Sequence, residues 1–88
     1  MEMFALAAYR SRQAVLRFDE ELTRAGVQTN IVTTPQAVAL GCGLSVRFAW
    51  EDVEKALETY RLRPDSNLIG FYLVYTEGAK IQVTPIRV

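Results

Sequence analysis

Residues 3–26, MFALAAYRSRQAVLRFDEELTRAG, contain a switch from one secondary-structure pattern to another. The apolar run over residues 3–9 is typical of a buried central strand of a sheet. Ser11 is then placed to cap a helix, because its side-chain oxygen can accept a hydrogen bond from a free N–H of the first turn. Apolar residues follow at intervals of three or four, at Ala14, Val15, Phe18, Leu22 and Ala25. Gly26 ends that pattern, so the stretch predicts a central strand followed by one amphipathic helix.

The rest of the chain continues this alternation of strands and helices. The further predicted elements are a strand at 28–34, a loop at 35–42, a strand at 43–48, a helix that begins near Glu51, a strand at 68–75 and a short strand at 80–84 that Pro85 blunts. The order is β-α-β-β-α-β with an added C-terminal hairpin strand. It predicts an α+β, ferredoxin-like two-layer sandwich, in which two helices cover one face of an antiparallel sheet.

The composition limits the class of protein. The chain has 88 residues, half of them apolar, and we expect one domain over residues 1–88. Its 10 basic and 10 acidic residues balance, so neither nucleic acid nor an anionic membrane is an expected partner. No apolar run is long enough to span a bilayer. With one cysteine and no histidine, the sequence has no disulfide framework and no metal-ligand spacing. We therefore expect neither a metal nor a cofactor. We also expect a cytoplasmic protein, because an unpaired thiol suits a reducing compartment.

The single cysteine is the strongest candidate for chemistry. Cys42 lies between Gly41 and Gly43, where neighbouring side chains are absent, and this context favours an accessible sulfur on a turn. In the predicted topology the loop that carries Cys42 lies at the same end of the sheet as the start of the first helix. The candidate binding residues at that end are Gly41, Gly43, Arg10, Ser11 and Arg12. Free N–H groups of the helix and the two arginines could there stabilise a thiolate, a persulfide or another anion.

The same residues also have structural interpretations. A lone cysteine is often an inert, buried small residue, and the sequence context leaves a reactive and an inert Cys42 about equally favoured. Arg10 and Arg12, each taken singly, are most simply solvated residues at a helix start.

A resemblance to a known family rests on the segment around this cysteine. Residues 35–48, PQAVALGCGLSVRF, combine a proline, a short loop, Cys-Gly and a strand that ends at Arg-Phe, and residues 51–58, EDVEKALE, begin a helix. Together with residues 9–14, YRSRQA, they are similar to small bacterial selenium/sulfur (Se/S) carrier-like proteins, a family of otherwise unknown function. The resemblance covers most of residues 3–75, and only the cysteine carries over as a functional residue, to Cys42.

The resemblance implies a sulfur or selenium carrier. On this hypothesis Cys42 accepts a persulfide or selenopersulfide from a donor protein, holds it and passes it to an acceptor protein. The protein is then a thiol carrier rather than a turnover enzyme.

Other classes of function remain open. A non-catalytic interaction or small-ligand-binding module fits the same fold, and its C-terminal strand could pair with another copy to form a homo-oligomer. An RNA-binding sheet is disfavoured, because residues 44–50 lack the Gly-aromatic pattern of that module and the net charge is zero. An acylphosphatase-like hydrolase would use Arg10 and Asn30, but the sequence has no Gly-rich phosphate loop.

Overall fold

The computed structural model of the chain describes residues 2–36, 38 and 43–88. Its elements are β1 Glu2–Tyr9, α1 Arg12–Arg24, β2 Thr29–Thr33, β3 Leu44–Phe48, a 3₁₀ turn Trp50–Asp52, α2 Val53–Leu62, β4 Leu68–Glu77 and β5 Lys80–Ile86. In the described part of the chain, neither helix has the length and apolar character needed to cross a membrane.

The five strands form one sheet in the order β2-β3-β1-β4-β5, and every pair of neighbours is antiparallel. The prediction of an α+β fold with two helices and an antiparallel sheet is therefore confirmed. β1 lies at the centre of the sheet, as its apolar run predicts. Ala5 to Tyr9 are buried because strands cover both edges of β1 and side chains cover both faces.

Both ends of α1 follow from the local sequence. The N–H of Ala14 donates to Ser11 Oγ over 3.3 Å, so the predicted N-cap is confirmed. At the other end the N–H of Gly26 donates to the C=O of Thr23, and the N–H of Val27 donates to the C=O of Leu22, both over 3.0 Å. These two bonds form a Schellman motif, which requires the positive φ of 88° that Gly26 adopts.

The core lies between the helices and one face of the sheet. Val15, Phe18, Leu22 and Leu57 are buried there, and Val53 and Tyr60 are partly buried against the same cluster, so the predicted helix faces are confirmed. The sheet contributes alternate residues to this cluster, among them Ala5, Ala7, Tyr9, Val46, Phe48 and Phe71. Phe18, Tyr60 and Phe71 pack edge to face, with ring centroids 5.7–6.3 Å apart.

The strands differ from their predicted bounds by one or two residues, and the differences at β5 and at the second helix have clear structural descriptions. β5 continues through Pro85 to Ile86, two residues beyond the predicted end at residue 84. The strand tolerates this proline because β5 is an outer strand, where the missing N–H can face away from the sheet. The second helix begins as a 3₁₀ turn at Trp50, and its α-helical part starts only at Val53.

Candidate functional site

The candidate site is described through its flanks. Gly41 and Cys42, which the sequence analysis singled out, lie outside the described residues, as do Ala37, Ala39 and Leu40. The described flanks are the end of β2 with Thr34, Pro35 and Gln36 on one side, and Gly43 with β3 on the other.

The two flanks are joined to each other at the base of the loop. The N–H of Thr34 donates to the C=O of Gly43 over 2.9 Å, which extends the β2–β3 pairing by one residue pair. The Thr34 and Ser45 hydroxyls are 2.7 Å apart, and both residues are buried, at 4% and 0% exposure. Because one buried hydroxyl donates to the other, the base of the loop is held by a backbone and a side-chain hydrogen bond.

Gly43 is closely packed at this base. A Cβ placed on Gly43 would lie 3.3 Å from Thr34 Oγ1 and 3.5 Å from the backbone oxygen of Tyr9. A side chain there would press on the buried hydroxyl pair. The sequence context predicts an open turn at this glycine, whereas in the structure Gly43 is closely packed against Thr34 and Tyr9.

The start of α1 lies at the same end of the sheet as Gly43. Tyr9 pairs with Leu44, the residue after Gly43, and the chain then passes through Arg10 and Ser11 into the helix. The N–H groups of Arg12 and Gln13 have no intrahelical partner, since they belong to the first turn. The structure therefore brings Gly43, Arg10, Ser11 and Arg12 to one end of the sheet, and their role in binding stays a prediction.

The side chains of this turn have distinct roles in the structure. The exposed Arg10 donates through Nη1 to the C=O of Leu68 over 3.3 Å, and its N–H donates to the C=O of Asn67 over 2.8 Å. Ser11 accepts the capping bond and retains its own O–H as a donor. Arg12 is exposed at the first helical position.

A third segment at this end, the α2–β4 loop, is organised by Asp65. Its carboxylate accepts from Arg17 Nη2 over 2.7 Å and from the N–H of Asn67 over 2.8 Å. The Tyr60 hydroxyl donates to the backbone oxygen of Asp65 over 3.0 Å and accepts from its N–H over 3.2 Å. These bonds connect the loop to α1 and to α2.

Tyr9 is a buried tyrosine at this end of the sheet, and its surroundings make the phenol less acidic. Burial raises the pKa of the Tyr9 phenol far above its ordinary value, and the nearby Tyr60, Asp65 and Glu21 raise it further, against a lowering effect of Arg17. The phenol therefore stays neutral and acts as a core group.

Thr34, Ser45 and Asp65 also shape this end of the sheet, and none of them was among the predicted site residues. Asp65 carries a recognisable signal, because Pro-Asp-Ser-Asn at residues 64–67 is a typical turn sequence in which Asp bonds the N–H two residues on. The Thr34–Ser45 pair carries no such signal. It depends on the register between β2 and β3, which local sequence does not state.

A comparison with protein families matches residues 5–63 to the family described as "Putative Se/S carrier protein-like". The chain belongs to this family. The match covers two-thirds of the chain, from β1 through α2, and includes Cys42. It stops before β4 and β5 and covers most of residues 3–75, as the resemblance predicted. No curated protein and no solved structure matches the chain.

Proposed function

We propose that this protein is a sulfur or selenium carrier that holds its cargo on Cys42. The observation that carries the proposal is membership of the Se/S carrier-like family over a segment that includes this cysteine. The positions of the described flanks support it. Gly43, the residue after Cys42, lies beside the end of β1, and the first turn of α1 with Arg10 and Arg12 lies at the same end.

The proposed transfer needs one thiolate and no oxidant. The Cys42 thiolate attacks the outer sulfur of a donor persulfide, R–S–SH, and the donor's S–S bond breaks as the new bond to Cys42 Sγ forms. The donor leaves as its thiolate R–S⁻, and Cys42 carries the persulfide. An acceptor thiolate takes the outer sulfur in the same way and regenerates the Cys42 thiolate; a selenopersulfide would follow the same steps. Donor and acceptor are proteins, and the chemistry suits the reducing cytoplasm.

We propose further that the fold is ferredoxin-like. β3 lies between β1 and β2, which run parallel to each other, so β1, α1 and β2 form a split β-α-β unit. β4 pairs with the other side of β1, and β5 is an addition at the edge of β4.

The experiment that tests the carrier function is persulfide loading of the native protein. We expect a small-molecule persulfide to raise the intact mass by one sulfur atom, and cyanide to remove that sulfur as thiocyanate. Cys42→Ser should gain no sulfur under the same conditions. A native thiol that takes up no sulfur, or that reacts only after unfolding, would overturn the proposal and leave Cys42 as a structural residue.

The acidity of the thiol tests the role of the helix start. We expect the pH dependence of alkylation by iodoacetamide to place the pKa of Cys42 below about 8.5, the value of a free cysteine. Arg10→Ala with Arg12→Ala should move it back toward that value, and Arg24→Ala, at the opposite end of α1, should not. An unshifted midpoint in the native protein and in the double variant would remove the electrostatic basis of the proposal.

A further inference from the structure

The sheet has two outer strands, β2 and β5, and each pairs with one neighbour. In the part of the chain that the structure describes, no strand pairs with the outer side of either one. An unpaired strand edge presents N–H and C=O groups to solvent and is a template for another strand, so proteins usually protect it with charges, proline or a bulge.

The direction of each backbone group on β2 follows from its pairing with β3. The N–H of Thr34 bonds to Gly43, and the register is regular from Thr29 opposite Phe48 to Thr33 opposite Leu44. Backbone groups alternate along an antiparallel strand, so Asn30 and Val32 also bond to β3. The N–H and C=O groups of Thr29, Ile31 and Thr33 therefore face outward.

The outer edge of β5 is protected against pairing with another strand. The β4–β5 hairpin closes on Glu77 and Lys80 around a two-residue turn, so residues 80, 82, 84 and 86 bond to β4. The outward positions are then Ile81, Val83 and Pro85, and proline supplies no N–H. Lys80 adds a charge at one end of the strand, and Arg87 follows the other.

β2 has none of these protections within its five residues, and the nearest proline, Pro35, lies two positions beyond its end. Its five residues, Thr-Asn-Ile-Val-Thr, include no charge and no proline, and its pairing with β3 contains no bulge. All five are partly or fully exposed, and Ile31 at the centre is 40% exposed. The residues whose backbone groups face outward are Thr29, Ile31 and Thr33, so their order is the same in both directions along the strand.

We propose that β2 is a self-association edge that pairs antiparallel with β2 of a second copy of this chain. A two-fold axis at Ile31 places Ile31 opposite the same residue of the other copy, and Thr29 opposite Thr33. Three outward N–H groups from each copy then make about six hydrogen bonds, and the two sheets become one.

The symmetry of the strand favours a second copy over a different partner. The three hydrogen-bonded pairs across the axis are ones that antiparallel strands favour: a β-branched apolar pair at the centre, with a threonine pair on each side. Asn30 lies opposite Val32 of the other copy in the two pairs between them. No like charges oppose each other, because β2 carries none. The contact is short and buries less than a standard interface of about 1,600 Å², so we expect a weak dimer that forms at high protein concentration.

Sedimentation equilibrium of the full chain up to about 1 mM tests the proposal, with a dimer as the expected result. Ile31→Pro removes an outward N–H and no bond to β3, so it should abolish the dimer while leaving the far-UV circular dichroism unchanged. Val83→Pro is the matched control, since it removes an outward N–H from β5; it should leave the dimer intact.

Two further measurements test the β2 edge if the proline variant does not fold. Ile31→Lys sets two like charges opposite each other and should also abolish the dimer, whereas Ile31→Thr should retain it. In the wild-type dimer, the amides of Thr29, Ile31 and Thr33 should exchange with solvent more slowly than those of Ile81 and Val83. A monomer over the whole concentration range, or equal exchange at both edges, would overturn the proposal.

Discussion

The Thr34–Ser45 pair is the residue-scale feature closest to the candidate site. Its two hydroxyls are buried and 2.7 Å apart, at the base of the loop whose described flanks are Thr34 and Gly43. A buried hydrogen bond of this kind contributes little net stability while both partners are present, but it is costly to leave half made. A substitution at Thr34 or Ser45 alone is therefore more costly than a matched change of both residues.

We predict that single substitutions in this pair destabilise the protein more than the double substitution. Ser45→Ala or Thr34→Val leaves one buried hydroxyl without its partner and should lower the free energy of unfolding by about 1–3 kcal/mol. The double variant should lose less than the sum of the two. Urea unfolding of all four proteins completes a double-mutant cycle, and additive losses would show that the hydroxyls are not coupled.

The Tyr9 phenol predicts a pH dependence of stability. Its pKa is raised in the folded protein from an ordinary value of 10.0, so the unfolded chain loses this proton first as pH rises. The contribution of Tyr9 to the free energy of unfolding is fully present below about pH 10. It decreases as the pH rises above that value, because ionisation of the phenol favours the unfolded state. We expect the urea concentration at the unfolding midpoint to be lower at about pH 11 than at about pH 8.

The Tyr9→Phe variant isolates this contribution. It should lose much less stability over the same pH range, because phenylalanine has no proton to release. Tyr72→Phe, at a partly exposed tyrosine on the opposite face of the sheet, is the control and should keep the wild-type pH dependence. Equal pH profiles for wild type and Tyr9→Phe would show that other groups determine the alkaline loss.

At the scale of elements, three chain segments meet at the end of the sheet beside the candidate site. The β1–α1 turn bonds to the α2–β4 loop through Arg10, and the base of the β2–β3 loop packs against the backbone of Tyr9. Asp65 holds the α2–β4 loop through its bonds to Asn67 and Arg17. The candidate site therefore depends on elements that lie far apart in sequence.

We predict that Asp65→Ala lowers the free energy of unfolding more than Arg17→Ala does. The Asp65 carboxylate is 14% exposed and satisfies the N–H of Asn67, so its loss should cost about 1–2 kcal/mol. Arg17 is 63% exposed, and an ion pair with so exposed a partner contributes about 0–1 kcal/mol. Equal losses in urea unfolding would mean that the ion pair, rather than the turn, holds this loop.

At the scale of the whole molecule, the sheet is asymmetric in both its faces and its edges. One face carries both helices and the main core. The other face includes Arg47, which lies 3.8 Å from the centroid of the Phe4 ring and pairs with Glu2 over 2.9 Å. One edge is protected by Pro85 and Lys80, and the other is the uncharged β2. The self-association proposed above follows from this difference.

Local sequence determined the elements and their order. The spacing of apolar residues predicted both helix faces, Ser11 and Gly26 predicted the two ends of α1, and the apolar run at residues 3–9 predicted the central strand, because each signal acts over one or two turns of chain. The cysteine and its family resemblance could likewise be found from the sequence alone.

Only the tertiary structure decided which residues meet. The Thr34–Ser45 pair, the close approach at Gly43 and the outward positions of β2 all depend on strand register. β5 could continue through Pro85 because the alternation of backbone groups places that residue on the free side of the strand. Register is set by packing and pairing between distant segments, and no local pattern of residues specifies it.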